Sequence, residues 1–158
     1  MNSLEKEFLV SIQDCQKIIY KICHIYRDRR EDQEDLFQEI VYQLWKSYPS
    51  FNKLSKISTW IYRVALNTAI STNRKNRPSI EYVESIPENY STGDKKFSEH
   101  EEQLYQAIRI LNDAEKALLS LYLEDFSYRE IAGITGISEN NVGVRLNRIK
   151  NKLIKLIK

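Results

Sequence analysis

Residues 127–150, SYREIAGITGISENNVGVRLNRIK, decide the fold of this chain. Ser127 and Glu130 have the spacing of a capping box, in which each side chain accepts a hydrogen bond from the backbone N–H of the other residue, so a short helix is predicted to begin here. Gly136 permits the left-handed backbone of a tight turn, and Ser138 is placed to cap a second helix. A short helix, a glycine turn and a second helix, in this order, predict a helix-turn-helix.

The second helix of this motif has an apolar stripe, formed by Val142, Leu146, Ile149 and Leu153, and a polar face beside it. Such a helix lies in the major groove of DNA, where Asn pairs with adenine and Arg with guanine or a phosphate. The residues off the stripe that we predict to contact DNA are Asn140, Asn141, Val144, Arg145, Asn147 and Arg148. The alternative is an amphipathic hairpin with a solvated polar face, but the absence of acidic residues after Glu139 favours DNA binding.

Helical periodicity continues outside the motif. The other predicted helices span residues 3–27, 32–48 and 58–74, the last with Ser58 as N-cap, and helical spacing resumes at Glu99 with a further capping box at Asn112 and Glu115. Residues 79–98 instead combine Pro, Gly, Ser and Asn with little periodicity, which is typical of a linker. The sequence therefore predicts an all-α protein with two small helical domains, residues 1–78 and 99–158, joined by a flexible acidic linker.

Charge is distributed unevenly along the chain, although the net charge is only +2. Residues 1–78 carry a net +4, residues 79–103 a net −5 and residues 104–158 a net +3. The stretches 51–80 and 140–158 contain no acidic residue at all. Basic stretches without acids are typical of proteins that bind nucleic acid.

Several other kinds of protein and site are not expected. The N-terminus lacks the pattern of a signal peptide, and no apolar run is long enough to span a membrane, so we expect a cytoplasmic protein. Cys15 and Cys23 lie eight residues apart in a predicted helix, too far for a disulfide, which indicates two core thiols. His24 and His100 have no partners at metal-ligand spacing, so neither a metal nor another cofactor is expected. An enzyme such as a nuclease is not expected, because the carboxylates cluster on one helix without a His or Lys partner pattern.

A second group of candidate functional residues begins with an acidic helix in residues 32–48. Its acidic residues are Glu31, Asp32, Glu34, Asp35 and Glu39, with no basic residue among them before Lys46. Because this helix would repel DNA phosphates, we predict that it binds a basic protein surface. The alternative is a solvated acidic face.

The following helix places Trp60, Arg63 and Asn67 on one face, because these residues are three and four positions apart. An aromatic ring, a cation and an amide are groups that bind unstacked bases. Basic residues surround this face: Lys53, Lys56, Arg74, Lys75 and Arg77. The alternative is that Trp60 is an ordinary core residue.

The order of these blocks resembles that of the extracytoplasmic-function sigma factors of bacterial RNA polymerase. EDLFQEIVYQLWKSYPSF (residues 34–51) resembles the core-polymerase-binding region of that family, and STWIYRVALNTAISTNRKNR (residues 58–77) resembles its −10-element region. Residues 104–158 resemble the −35-binding domain. The resemblance covers nearly the whole chain, and it implies a sigma factor that binds core polymerase, recognises −35 and −10 promoter elements and helps to open the −10 region.

The resemblance also implies roles for individual residues. Residues 1–78 would form sigma region 2, residues 99–158 would form the region 4 helix-turn-helix, and the linker would run towards the RNA exit path. Core polymerase would be bound by Asp35, Leu36, Gln38, Glu39 and Gln43. The −10 DNA would be bound by Phe51, Lys53, Lys56, Trp60, Arg63, Asn67, Arg74 and Lys75, with a pocket for a flipped-out base in the loop Phe51–Ile57. Residues 127–150 would contact the −35 element. The implied partners are core RNA polymerase, promoter DNA and, as is common in this family, a membrane-associated anti-sigma factor, with no small-molecule substrate.

Two features depart from the pattern of the family. The loop FNKLSKI (residues 51–57) lacks the Gly and the acidic residue often found there, so a base preference at −10 is not carried over. Gly143 stands where the family has a larger or basic side chain, which costs about 1 kcal/mol of helix propensity relative to Ala and removes one possible DNA contact. The competing interpretation is a stand-alone helix-turn-helix regulator that binds an operator as a dimer, and such a protein would need neither the acidic helix nor the Trp60 face.

Overall fold

The computed structural model describes residues 2–53, 55–75 and 98–157, without the side chains of residues 73–75. Its helices are α1 (Ser3–Tyr26), α2 (Arg30–Ser47), a 3₁₀ turn (Tyr48–Ser50), α3 (Ile57–Lys75), α4 (Glu99–Ile110), α5 (Asp113–Leu123), α6 (Tyr128–Thr135) and α7 (Glu139–Ile157). The described residues contain no strand, and the helices form two compact units, α1–α3 and α4–α7. The predicted all-α class is confirmed, and nearly all of the predicted linker lies outside the described residues.

The first unit is a bundle of three helices around one apolar core. Ile22 of α1, Leu44 of α2 and Ile61 of α3 are fully buried, because each helix carries an apolar stripe that it can cover only against the other two. Small Ala65 and Ala69 on α3 are also fully buried. Their short side chains allow the backbones of neighbouring helices to approach closely.

Arg27, which follows α1, joins the ends of the three helices in this unit. Its guanidinium donates to the carbonyl oxygen of Ala69 (3.2 Å) and to the hydroxyl of Thr72 (2.9 Å), both on α3. The buried amide of Gln33 on α2 donates in turn to the carbonyl oxygen of Arg27 (3.0 Å). These hydrogen bonds tie the segment between α1 and α2 to α3.

Two helix boundaries differ from the sequence prediction. The second helix begins at Arg30 and ends at Ser47, and the 3₁₀ turn that contains Pro49 follows it. The third begins at Ile57, so Ser58 lies inside the first turn and its prediction as N-cap is wrong. In the first helical hydrogen bond, the Trp60 N–H donates to the carbonyl oxygen of Lys56 (3.1 Å). An N-cap contributes only about 1 kcal/mol to the stability of a helix. Packing of the half-buried Ile57 side chain can outweigh this contribution, so α3 begins at Ile57.

Helix starts in the second unit are set by local capping, as predicted. The capping boxes Ser127–Glu130 and Asn112–Glu115 are both formed. Gly136 adopts a φ of 80°, the left-handed conformation that the turn requires. The Asn141 N–H donates to the Ser138 hydroxyl (3.2 Å), which caps α7. Helices α6 and α7 therefore form the predicted helix-turn-helix.

Cys15 and Cys23 are buried and form no disulfide, as expected for core thiols. Burial raises the pKa of the Cys23 thiol to about 12, so this thiol stays protonated near neutral pH and is a poor nucleophile. None of the helices in the described ranges is long and apolar enough to cross a membrane. Within residues 2–53, 55–75 and 98–157, no three His, Cys, Asp or Glu residues are grouped so that they could hold a metal ion.

Candidate nucleic-acid and protein interfaces

The predicted DNA-contacting residues of α7 share one exposed face. This face lies opposite the stripe of Val142, Leu146 and Ile149, of which no member is more than 1% exposed. The exposed residues are Asn140, Asn141, Val144, Arg145, Asn147 and Arg148. Val144, the one apolar member, is 42% exposed, and an exposed apolar group on such a face can contact the methyl group of thymine. The structure thus brings all six predicted side chains together.

Two lysines of α7 brace this helix against α5. Lys152 Nζ lies 3.3 Å from Glu115 Oε1. Lys150 Nζ donates to the Tyr122 hydroxyl (3.0 Å) and lies 4.3 Å from the centroid of that ring. The pKa of Lys150 is raised, mainly by this hydrogen bond to Tyr122. Because these contacts join α7 to the rest of the unit, the exposed face of α7 is presented on a rigid support.

The exposed face of α2 carries most of the acidic residues that the sequence predicted there. Glu31, Asp32 and Asp35 are exposed, and Glu39 is half-buried. Burial raises the pKa of Asp35, and the charges of Asp32, Glu34 and Glu31 raise it further. The carboxylates of this face therefore repel one another, and a basic partner surface would relieve that repulsion.

Two residues assigned from the sequence to α2 surfaces, Glu34 of the acidic face and Leu36 of the polymerase-binding set, are buried. Leu36 is 3% exposed and lies in the core, so its side chain cannot contact a partner. Glu34 is 5% exposed, and its Oε1 accepts a hydrogen bond from Arg30 Nε (3.2 Å). Buried carboxylates require such a partner because an unpaired buried charge is costly. The helical periodicity of α2 was predicted correctly, but its buried face is wider than the sequence suggested and includes Glu34.

Tyr42 and Trp45 complete the exposed face of α2, and the sequence analysis did not assign them to it. Tyr42 is 55% exposed and Trp45 is 37% exposed. Gln38 is exposed four residues before Tyr42, and Gln43 Nε2 donates to Glu39 Oε1 (3.0 Å) beside it. Exposed aromatic residues among polar ones are typical of the centres of protein interfaces. The spacing of four residues was a signal in the sequence that could have found Tyr42.

The predicted face of α3 is built around Trp60. Arg63 and Asn67 are exposed, and Trp60 is half-buried. Its indole stacks on Phe51 with centroids 5.0 Å apart and an interplanar angle of 29°, and the ring of Tyr48 lies 6.0 Å away. Trp60 is therefore not the core residue of the alternative reading: packing holds the ring in place and leaves part of it accessible. A ring held in this way is suited to stack on an unpaired base.

The basic residues near Trp60 lie on both sides of it in the chain. Lys53 and Lys56 are exposed in the loop before α3. Lys53 has a φ of 61°, so this loop makes a left-handed turn without glycine, at a conformational cost of about 1–2 kcal/mol. Arg74 and Lys75 lie in the last turn of α3, and their side chains, like the whole of Arg77, are outside the described residues.

A groove of about 600 Å³ opens between the start of α1 and the loop before α3. The residues that line it are Lys6, Glu7, Val10, Ser11, Tyr48, Phe51, Lys53, Ser55 and Ile57. Its volume is within the range of about 300–1,000 Å³ typical of ligand sites. Its loop wall includes residues of the loop predicted to form a pocket, Phe51, Lys53, Ser55 and Ile57, whereas the α1 wall was not predicted. No short-range signal links the two walls, because about 45 residues separate them in the chain.

Two models of protein families match the chain, and they cover most of it. Residues 12–78 match Sigma-70 region 2, and residues 101–153 match Sigma-70, region 4. The first match contains the exposed faces of α2 and α3, and the second contains the helix-turn-helix.

Curated proteins similar to the chain extend over nearly its full length. It is 30% identical to RNA polymerase sigma factor YlaC of Bacillus subtilis (strain 168) over 161 residues, 92% of this chain and 91% of that protein. It is 28% identical to RNA polymerase sigma factor SigV of the same organism, over 97% of this chain and 93% of that protein. It is 31% identical to the ECF RNA polymerase sigma-E factor of Escherichia coli (strain K12), over 80% and 76%.

Solved structures share the fold at lower sequence identity. The sigma factor RpoE from Bartonella quintana, solved in complex with the anti-sigma factor NepR, has a TM-score of 0.69 and 22% identity, and the match covers 99% of this chain and 98% of that one. CnrH, solved in complex with the cytosolic domain of CnrY, has a TM-score of 0.68 and 15% identity over 97% of this chain and 88% of the other.

Proposed function

This chain belongs to the RNA polymerase sigma factors of the extracytoplasmic-function class, and we propose how its exposed faces divide the recognition of a promoter. As a sigma factor it binds core RNA polymerase and directs initiation of transcription at specific promoters. We also propose that the chain acts only by binding and catalyses no reaction itself, and that it acts in the cytoplasm.

We propose that α7 contacts the −35 element through its exposed face. Five side chains that can hydrogen-bond bases or phosphates lie there together with the apolar Val144, and no acidic residue follows Glu139 in the chain. This face, on a capped helix-turn-helix, is the single observation that carries the assignment of DNA binding. Asn140, Asn141 and Asn147 can pair with adenine, whereas Arg145 and Arg148 can bond guanine or a phosphate.

The face of α3 and the groove beside it are proposed to bind the −10 element after its strands separate. Trp60 offers a fixed aromatic plane, and Asn67 and Arg63 offer an amide and a cation on the same side. Lys53 lines the groove and is exposed, so it can neutralise a phosphate of a strand that enters it. An extruded base would fit between the loop and α1, with Phe51 as a stacking partner.

Core polymerase is proposed to bind the exposed face of α2. Asp35, Gln38, Glu39 and Gln43 remain from the predicted set, and Tyr42 is added from the structure. The carboxylates clustered at the start of α2, whose charges add to the effect of burial in raising the pKa of Asp35, support a basic surface as the partner. Leu36 is not part of the proposal, because it is buried.

The domain limits and further partners are also proposals. We assign residues 1–78 to sigma region 2 and residues 99–158 to region 4, with residues 79–98 as the linker. Both solved structures that share the fold contain a protein partner, and for RpoE that partner is named as an anti-sigma factor. We therefore propose that an anti-sigma protein also binds this chain.

Association with core polymerase followed by run-off transcription tests the proposal. The full chain is expected to co-purify with core RNA polymerase and to produce a transcript of defined start from a promoter that the polymerase alone does not use. The Asp35→Lys variant serves as the matched negative control, since it reverses one charge at an exposed position of α2 and changes no core residue. A chain that binds a duplex operator as a dimer, without polymerase, would instead support the stand-alone regulator.

A further inference from the structure

The ring of Tyr128, the first residue of α6, lies against Gly143 of α7. A Cβ atom built at Gly143 would lie 3.3 Å from Cε2 and 3.6 Å from Cδ2 of that ring. The shorter distance is tighter than an ordinary van der Waals contact, so a larger side chain at position 143 would have to displace the ring. A Cβ atom at position 143 would require the ring to shift by a few tenths of an ångström, so the glycine lets Tyr128 pack closely on the recognition helix.

Tyr128 stands at the edge of the proposed DNA-binding face. Gly143 follows Asn140 by three residues and precedes Asn147 by four, so these three positions lie on the same side of α7. The ring of Tyr122 supports Tyr128 from α5, with 6.5 Å between the two centroids. Tyr128 is nevertheless 39% exposed. A supported and accessible tyrosine thus lies beside two of the proposed base-contacting side chains.

We propose that the Tyr128 hydroxyl donates a hydrogen bond to a phosphate of the −35 element, at the place that a side chain at position 143 would otherwise occupy. The first helix of a helix-turn-helix crosses the DNA backbone, and tyrosine hydroxyls are among the groups that bond phosphate oxygens. The inference rests on the proposed function of α7, and it adds a contact from α6.

The charges near Tyr128 are compatible with a phosphate. The Lys150 ammonium donates to the hydroxyl of Tyr122 (3.0 Å), whose ring lies beside that of Tyr128 with 6.5 Å between the two centroids. Glu130, the acidic residue nearest to Tyr128 in the chain, has its Oε1 turned back to accept from the Ser127 N–H (3.0 Å). The positive charge of Lys150 therefore lies near the proposed site, and the Glu130 carboxylate is hydrogen-bonded to the backbone of Ser127.

The test compares Tyr128→Phe with the wild-type chain, each assembled with core RNA polymerase. The probe is a duplex that the wild-type holoenzyme selects from a randomised pool, together with single-base variants of its −35 element and duplexes that carry one methylphosphonate. Tyr105→Phe, on α4 of the same unit, is the matched control, since it also removes one hydroxyl and keeps its ring. Dissociation constants come from mobility shifts, and thermal unfolding checks that both variants fold.

We expect Tyr128→Phe to weaken binding about five- to tenfold, as for loss of one hydrogen bond to a charged group, and to weaken it equally on the selected duplex and on its single-base variants. Replacing one particular phosphate by methylphosphonate should weaken the wild type but not Tyr128→Phe. The dependence on salt should not change, because no charge is removed. Gly143→Leu, which displaces the ring, should lower affinity as well, and Tyr128→Phe should add nothing in that background.

Wild-type affinity in Tyr128→Phe would overturn the contact. Loss of discrimination at a single base pair would overturn the phosphate assignment. If the wild-type holoenzyme selects no sequence at all, the proposed function fails, and this inference fails with it. If the wild-type holoenzyme selects a sequence and Tyr128→Phe binds it with wild-type affinity, the proposed function stands and only the Tyr128 contact fails.

Discussion

Asp35 and Leu36 are neighbours in the chain, yet Asp35 is exposed on α2 and Leu36 is 3% exposed in the core. At the scale of single residues, this difference in burial decides what a substitution does. A change at an exposed residue alters binding with little effect on the fold, whereas a change at a buried one alters the fold first. Two predictions follow this distinction.

Leu36→Ala and Glu39→Lys are expected to act in opposite ways. Leu36→Ala should lower the free energy of unfolding by about 2–5 kcal/mol, because it leaves a cavity in the core. Glu39→Lys should change the free energy of unfolding by less than about 0.5 kcal/mol and should weaken the association with core polymerase. Urea denaturation and a pull-down measure the two effects. Unchanged polymerase binding in both Glu39→Lys and Asp35→Lys would remove α2 from the polymerase interface.

Asp35→Asn is expected to stabilise the fold in a way that depends on pH. Burial and the neighbouring carboxylates raise the pKa of Asp35 in the folded state, so the folded chain holds this proton more tightly than the unfolded chain does. The ionised carboxylate therefore opposes folding at pH values above its folded pKa, and this penalty disappears as the pH falls through the folded pKa and below the unfolded one. Urea midpoints should show a more stable variant at pH 7 and a smaller difference near pH 3.5. An equal difference at both pH values would contradict this origin.

At the scale of elements, α3 and α7 are each proposed to bind DNA through one face, but the two faces differ in kind. The face of α7 has polar side chains on a convex helix, which suits the major groove of intact duplex. The face of α3 has a stacked indole, with Asn67 and Arg63 on the same side. Stacking requires a base that has left the duplex, so the two faces should act at different stages of initiation.

Arg145→Ala and Arg148→Ala test the face of α7. We expect one of the two arginines to contact a base, so its loss should cost about 1–3 kcal/mol and relax preference at one position. The other should contact a phosphate, so its loss should weaken all sequences alike and lower the slope of affinity against salt by about 1. Holoenzyme binding to a panel of −35 variants at several salt concentrations measures both. If neither substitution matters, α7 does not lie in the groove as proposed.

Asn67→Ala tests the face of α3. The variant should bind closed promoter DNA as the wild type does, because duplex binding depends on α7. It should reduce promoter opening, because the amide that bonds an extruded base is missing. Permanganate reactivity of −10 thymines in the holoenzyme complex reports the opening. Normal reactivity would make Asn67 a surface residue without a role in strand separation.

At the scale of the whole molecule, the linker limits what the free protein can do. The predicted linker, residues 79–98, lies outside the described residues except for Ser98, so its length comes from the sequence alone. A proposed flexible linker of about 20 residues would span about 25 Å on average and about 70 Å when fully extended. Two elements that lie two helical turns apart on DNA are separated by about 70 Å. Even if each unit covers part of that distance, the free linker must stretch well beyond its preferred span. Binding of one unit therefore raises the effective concentration of the other unit at its DNA element only slightly.

The isolated protein is therefore expected to bind its promoter poorly. The acidic linker repels the DNA that it would cross, and the −10 face requires separated strands that one small unit cannot open alone. Core polymerase would overcome both obstacles by holding the units apart and opening the duplex. Mobility shifts at 150 mM salt, a condition in which phosphate contacts are already weakened, measure this. Nanomolar, sequence-specific binding of intact duplex by the isolated chain would favour the operator-binding regulator.

Interactions between residues close in the chain could be predicted from the sequence by itself. The capping boxes at Ser127–Glu130 and Asn112–Glu115, the turn at Gly136 and the buried stripe of α7 all depend on spacings of three or four residues. Hydrogen bonds and helix periodicity act over these distances whatever the rest of the chain does. The all-α class and the exposed face of α7 were therefore determined locally.

Contacts between distant residues were decided only by the tertiary structure. The sequence does not show that Glu34 turns inward, because burial depends on which arc of α2 meets the other helices. It does not show that α1 forms a wall of the groove beside the loop before α3, or that Tyr128 packs on Gly143. Each of these contacts joins two elements whose relative position is set by the packing of a whole core, and no spacing within one element encodes that position.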